Sequence, residues 1–344
     1  MRPPRRWLAR AALTLVLALP TAGSAAAPAE YRRPPEQTYL TFPEWYLVHS
    51  PAEYAGYLQS GAPPSGFPLF AHIGQFWQGY AAMTRETERY PFNGGYHLMV
   101  MVIGASTTIE YGIKGLYEQT VGRLAEASRG TGPMLPEERF AARYARDYVD
   151  FIRVDPWYQF DFFSRLRELW QDPLPLDGNH PLRRWERRYL LSSELLAKGI
   201  YGQLIKLATR TVYDEAKPQT AVVLRHAPPA SADRRNYIPQ AAQDGLTPAL
   251  LPRYQAFQDY SLWLARNGAD FQEIAGNRGE ILISLLAPDA WRAPGDGRLL
   301  LEQPILTQPG RKRALVAVPV GQLAGLLRLS AAQAGVDLEH VYDY

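Results

Sequence analysis

The chain has 344 residues, 47% of them hydrophobic and none of them cysteine. That length suits one large domain or two ordinary ones with a full core, and the lack of cysteine excludes disulfides, thiolate metal sites and thiol nucleophiles. The formal charge of +3 comes from the first 29 residues, whose four arginines face no acid; without them 33 basic residues stand against 34 acidic ones, a net charge of −1, so no nucleic-acid partner is expected.

Residues 1–29 read as a secretion signal. Arg2, Arg5, Arg6 and Arg10 precede a short apolar stretch, 11–19, and a run of small residues, 24–29. Ala27-Pro28-Ala29 fits the A-x-A pattern and predicts cleavage before Glu30. The apolar stretch is shorter than the roughly 20 residues a spanning helix needs. A retained anchor is the alternative, and Arg5-Arg6 resembles a twin-arginine start. The expected location is the periplasm or cell envelope.

Residues 30–37 form a polar lead-in. Two helix starts follow, each shaped like a capping box: Thr41-Phe42-Pro43-Glu44 and Ser50-Pro51-Ala52-Glu53. Gly61 ends the second helix. A helix is predicted over 72–89, then a turn at 90–95 and a long central helix to about Leu124. At about 100° per residue, His97, Gly104, Thr108, Gly112, Gly115 and Gly122 share one small-residue face. Ile103, Glu110, Tyr117 and Leu124 share the opposite one, with Lys114 one turn on as the natural partner of Glu110. The uncharged part of this helix spans only residues 98–109, which suits a buried helix better than a membrane span; small-xxx-small spacing keeps the membrane alternative open.

Helices are predicted next over 137–153, 157–170 (capped by Asp155-Pro156 and rich in aromatics) and 182–213. The last opens with Arg183, Arg184, Glu186, Arg187 and Arg188, read as a solvated face. Its Gly199 and Gly202 are expected to meet the small face of the central helix. From about Lys217 the pattern changes. Strands are predicted at 220–224, 270–274, 280–286, 299–307, 313–320 and 336–342, with helices over 247–267 and 321–334. No internal repeat stands out. The fold class is α+β: an aromatic-rich helical domain over 38–215, then a smaller α+β domain over 216–344 with a mostly antiparallel sheet.

The sequence contains no G-x-S-x-G elbow, H-E-x-x-H, P-loop or strand-linked G-x-G-x-x-G. Three constellations remain. His97, Glu110, Lys114 and Glu118 lie on the central helix. Glu110 there reads either as half of an ion pair with Lys114 or as a general base whose pKa an apolar pocket raises. Carboxylates recur on several helices (Glu44, Glu86, Glu110, Glu118, Glu186, Glu194), but without the Glu-x-x-His of a di-metal bundle. His72 and Gln75 share a helix side beside aromatics and could orient an apolar ligand. The candidate catalytic residues are therefore Glu110, His97 and His72, with no metal or cofactor expected. The leading reading is an exported envelope protein with a non-catalytic binding or scaffold role, whose partner is an envelope protein or a lipid, with peripheral membrane association. The alternatives are a hydrolase or lyase acting on an apolar substrate through Glu110, and a membrane-embedded helical protein.

Overall fold

The structure, a computed structural model, describes residues 26–130, 132–171, 180–209, 217–295 and 297–344. The apolar stretch at 11–19, the loop after Gln171 and the end of the 182–213 helix fall wholly or partly outside the described residues. The helical part comprises α1 (Gln37–Gln59), α2 (Leu69–Thr87), α3 (Gly94–Tyr117), a π-helical turn (Glu118–Gly122), α4 (Arg123–Ala127), α5 (Pro136–Ile152), α6 (Phe162–Leu169) and α7 (Pro181–Thr209). The rest comprises β1 (Gln219–Arg225), β2 (Ile238–Pro239), β3 (Leu246–Pro252), α8 (Gln255–Arg266), β4 (Asp270–Ile274), β5 (Glu280–Pro288), β6 (Arg298–Pro304), β7 (Arg311–Pro319), α9 (Leu323–Ala332) and β8 (Asp337–Val341). The class is α+β, helical first and antiparallel-sheet second.

The two expected helix starts at Thr41 and Ser50 lie inside one helix, α1, with Pro43 and Pro51 in its interior. Their capping groups are used elsewhere. Thr41 Oγ1 donates back to the Gln37 carbonyl, Glu44 accepts from the Tyr96 hydroxyl at 2.8 Å, and Glu53 accepts from both the amide and hydroxyl of Thr307 at 2.8 Å. Asp155-Pro156 caps no long helix either; a 3-10 turn at Trp157–Gln159 intervenes, and α6 is capped by Asp161, whose carboxylate accepts from Ser164 N. The stretch from Thr247 expected to open a helix is strand β3. Its prolines 248 and 252 fall where the two-residue β2 no longer pairs with it, the positions at which a sheet tolerates proline.

The charged opening of α7 is buried. Arg183, Glu186, Arg187 and Arg188 lie in the interior with Glu118, Glu137 and Glu138. Arg187 donates to both Glu118 oxygens at 2.8 and 3.1 Å, Arg183 to Glu138 at 3.1 Å and Arg188 to Glu137 at 2.9 Å. Paired in this way, the charges fix α7 against the π-turn after α3 and the start of α5, although ion pairs so buried add little net stability. Gly199 and Gly202 pack on Phe163 and on the Tyr158 backbone, not on α3.

The strands divide into two antiparallel sheets, ordered β2-β3-β1-β4 and β6-β7-β5-β8. These are two copies of one βββαβ unit. In each, the first strand lies between the third and fourth, and the helix precedes the fourth. The first–fourth pairing slips at the same point in both: between Val223 and Leu224, and between Ser284 and Leu285. From the third strand onward the copies keep a constant offset (319 − 252 = 67). Pro252/Pro319, Gln255/Gln322, Leu262/Leu329, Ala265/Ala332, Gly268/Gly335 and Asp270/Asp337 are identical pairs. Gly268 and Gly335 each follow their helix with positive φ, 82° and 76°, the left-handed conformation a helix end favours in glycine. The repeat is thus a matter of topology and a few fixed positions.

Helices α8 and α9 pack together with both sheets in one core that includes Val222, Leu224, Phe271, Ile283, Val316 and Leu327. The second sheet is also covered on its other face. Leu282, Leu315 and Ala317 join Tyr39, Phe42 and Phe76 of the helices in a second core, and the Leu282 amide donates to Thr38 Oγ1 at 2.9 Å. Burial on both faces explains why β5 and β7 read as continuous apolar runs, not alternating ones.

Candidate functional site

Helices α3 and α7 each carry Glu-x-x-x-Lys, Glu110/Lys114 and Glu194/Lys198. The helices run antiparallel, so the pairs cross. Lys198 Nζ lies 2.8 Å from Glu110 Oε1, Lys114 Nζ 2.9 Å from Glu194 Oε2, and Lys198 also reaches Glu194 at 3.1 Å. Further along, Arg187 meets Glu118 and Arg183 donates to the Gly122 carbonyl. The expected Glu110–Lys114 pair is therefore replaced by contacts across two helices. Burial works against each lysine's charge, but Glu194 for Lys114, and Glu110 with Glu194 for Lys198, hold both above the usual lysine value. Burial would likewise raise Glu194; the two lysines outweigh it and hold the carboxyl well below its usual range. The ladder stays charged and internally neutralised.

Beside the ladder lies a cavity of about 440 Å³ between α1, α3, α5 and α7, within the roughly 300–1,000 Å³ range of small-molecule pockets. Its walls are mostly apolar and aromatic. α1 contributes Trp45, Val48 and Tyr54, α5 contributes Tyr144 and Tyr148, and Trp157 and Tyr158 close one end. α3 contributes Val102, Ile103, Ser106 and Tyr111, and α7 contributes Leu191 and Tyr201. The polar groups on the wall are the ladder's Glu110, Lys114, Glu194 and Lys198, with Ser106, Thr107, Glu44, Asp155 and the tyrosine hydroxyls. Burial pushes the Glu44 carboxyl up, against its hydrogen bond from Tyr96. Pro51 lacks an N–H, so the Leu47 carbonyl has no helical donor, and both residues line the cavity.

Of the three residues singled out in the sequence, Glu110 alone reaches this cavity. Its carboxylate is paired with Lys198 and its side chain is 41% exposed, so a counter-ion and water surround it where the base chemistry needs a dry pocket. His72 is buried behind the wall. Its Nδ1 lies 3.0 Å from both Tyr46 OH and Ser50 Oγ, Ser50 Oγ is 2.9 Å from Tyr111 OH, and Phe67 stacks on the ring. Burial drives His72 down to about 3. Ser50 sits inside α1, so its amide is committed to the helix and offers no oxyanion hole. His97 starts α3, hydrogen-bonded to Tyr80 at 2.9 Å and stacked on Phe92, away from the cavity lining. Sequence reasoning missed Lys198, Tyr111 and Tyr201 as wall residues. The repeated Glu-x-x-x-Lys on two helices was the available signal.

The other side of α3, continued by α4, faces solvent. Leu98, Met101, Val102, Ile109, Ile113 and Leu116 of α3 and Leu124 of α4 are exposed, with Ile109, Ile113 and Leu124 at 63%, 68% and 77%. α7 exposes Leu182, Tyr189, Leu196, Ile200, Leu204 and Leu207. At about 100° per residue each stripe lies roughly 140° around its helix from the ladder. In an antiparallel pair that rotation has opposite hand on the two helices, so both stripes face the same side. Each runs for roughly 40 Å at 1.5 Å per residue. Val102 of this surface and the exposed Tyr201 of α7 also line the cavity, so the cavity wall reaches the protein surface beside the apolar stripes. Among the described residues no helix is long and apolar enough to cross a membrane, and no group of three or more His, Asp or Glu is placed to hold a metal ion. Compared with known protein families, curated proteins and solved structures, the chain matches none.

Proposed function

We propose that the protein binds an amphipathic molecule with a long apolar chain, without chemically changing it, at a lipid surface of the cell envelope. One observation carries the reading: a largely apolar cavity is lined by two helices whose outward sides each expose an apolar stripe. Solvent-exposed apolar patches of this extent mark interaction surfaces. The Trp170, Trp185 and Tyr189 side chains at one end of that face suit headgroup depth, where one part of an aromatic ring is dry and the other wet. The two lysines on the wall are already paired with Glu110 and Glu194, and Glu44 and Asp155 line it too, which disfavours a free anion as the polar end. The envelope location rests on the signal-like first 29 residues.

The test is a titration with a phosphatidylcholine that carries a cis-parinaroyl chain, a fluorescent acyl chain on a zwitterionic head. The wild-type protein should bind it saturably, and Ser106→Trp, which places a large ring inside the cavity, should weaken binding at least tenfold while leaving Tm in place. Equal binding by both proteins would refute the cavity reading.

A second reading, a hydrolase or lyase acting on the same apolar chain, is favoured by Glu44, the carboxyl on the wall that burial pushes up. Turnover of a bound ester that Glu44→Gln abolishes without loss of binding would establish it.

A further inference from the structure

The segment entering α1 is packed more tightly than a polar lead-in requires. Ala27 is 1% exposed. Its backbone N–H donates at 2.7 Å to Glu273 Oε1, a carboxylate buried on β4. The other oxygen, Oε2, accepts from Arg278 Nε at 2.6 Å. The Ala27 carbonyl accepts from Arg32 Nε at 2.9 Å, the Arg33 amide donates to Ala275 at 2.8 Å, and Glu30 pairs with Lys217 at 2.7 Å. Residues 27–33 are thus bound to the first βββαβ unit. In the second unit Glu273 corresponds to His340, since Val223↔Glu273 and Ser284↔His340 are matching pairs. His340 there stacks on Trp45 of α1, ring centroids 3.6 Å apart. The N-terminal segment therefore occupies on the first sheet the place that α1 occupies on the second.

A cut before Glu30 would discard Ala27 and leave a buried carboxylate oxygen without this donor, a costly change. We propose that leader removal instead cuts between Ala26 and Ala27, and that the new α-ammonium group of Ala27 becomes the ion-pair partner of Glu273. Ser24 and Ala26 supply the small residues such a cut requires at the third and first positions before it, and proline stands second, not first, after it. The step is a hydrolysis by a signal peptidase on the still extended segment. Water adds across the Ala26–Ala27 peptide bond, the leader leaves with the new carboxylate, and the freed Ala27 nitrogen, now an ammonium, docks against Glu273 as the chain folds. A charged donor makes a shorter and stronger hydrogen bond to a carboxylate than a neutral amide does. The proposal rests on the exported reading above but on neither the cavity nor the apolar face.

The chain should be expressed with its own leader in a secreting bacterial host, recovered from the envelope fraction, and its N-terminus determined by sequencing and intact mass. The expected start is Ala27-Pro28-Ala29. A start at Glu30 would overturn the site while leaving export intact; an uncut chain starting at Met1 would overturn both. A second measurement compares purified chains. The chain starting at Glu30 should melt roughly 5 °C below the one starting at Ala27, and Glu273→Gln should remove most of that difference. Equal melting of the two chains would refute the ion pair.

Discussion

At the scale of single residues, the buried charges make this an acid-sensitive protein. Burial drives His49 down to about 4, against the pull of Glu339, and His72 down to about 3. Below the usual histidine value of about 6.5 the unfolded chain takes up protons that the folded chain refuses, so stability falls with falling pH from about 6.5 to 4. His49 alone accounts for about 3 kcal/mol across that window. Glu339, whose burial is outweighed by the bidentate Arg313 guanidinium, is held down at about 2. Its contribution is full above the usual carboxyl range and is lost as pH falls through that range toward 2. Burial lowers His340 as well, so three buried histidines resist protonation; melting curves in a pH series should be flat above pH 7 and fall steadily below 6.5, and His49→Gln should reduce the initial slope by about a third. A slope unchanged in the variant would place the sensitivity elsewhere. In the ladder, Glu194→Gln leaves Lys114 and Lys198 with Glu110 alone, and should cost about 3–5 kcal/mol by chemical denaturation. A loss below 1 kcal/mol would show that water already screens the ladder.

Among the helices and strands, periodicity was a good guide to where they lie and a poor one to what their faces meet. The spans of α2, α3, α5 and α7 and most strands were legible, because 3.6- and 2-residue periods survive any tertiary context. The start of α1 was misread because Thr41, Glu44, Ser50 and Glu53 imitate helix caps while serving long-range contacts. The small-residue face of α3 was visible too, but not which of its glycines are packed. A Cβ on Gly104 would collide with Phe76 and Trp77, whereas one on Gly112 meets nothing within 4 Å. Gly104→Ala should therefore destabilise by about 1–3 kcal/mol and Gly112→Ala stabilise by about 0.5–1 kcal/mol; denaturation midpoints that rank them the other way would contradict this packing. The solvent-facing stripe was missed for a simpler reason: an apolar stripe has the same period whether it faces a core or a lipid. Ile109→Lys with Ile113→Lys should abolish flotation with phosphatidylcholine–phosphatidylglycerol vesicles without changing Tm. Retained flotation would assign the face to another occupant, and a concentration-dependent dimer lost in the double variant would identify a second copy of the chain.

Taken whole, the molecule is two βββαβ units carrying a helical layer on one of them. The duplication escaped the sequence because few positions remain identical, among them Gly268/Gly335 and Pro252/Pro319, while most core positions kept their apolar character and changed their side chains. The core shared by Tyr39, Phe42, Phe76, Leu282, Leu315 and Ala317 couples the helices to the second sheet. Calorimetry should accordingly show one cooperative transition; two resolved transitions would mean the helices and sheets fold as independent units. The helical layer thus keeps one side against the sheet and turns its exposed apolar stripes outward.

The most direct test of this arrangement presents a phospholipid with a photoactivatable diazirine in its acyl chain to the protein in vesicles, and maps the adducts after illumination. Adducts are expected on the cavity-lining segments, 102–114 of α3, 141–148 of α5 and 191–201 of α7, and should be lost in Ser106→Trp. Adducts confined to other surfaces, or unchanged in that variant, would contradict it.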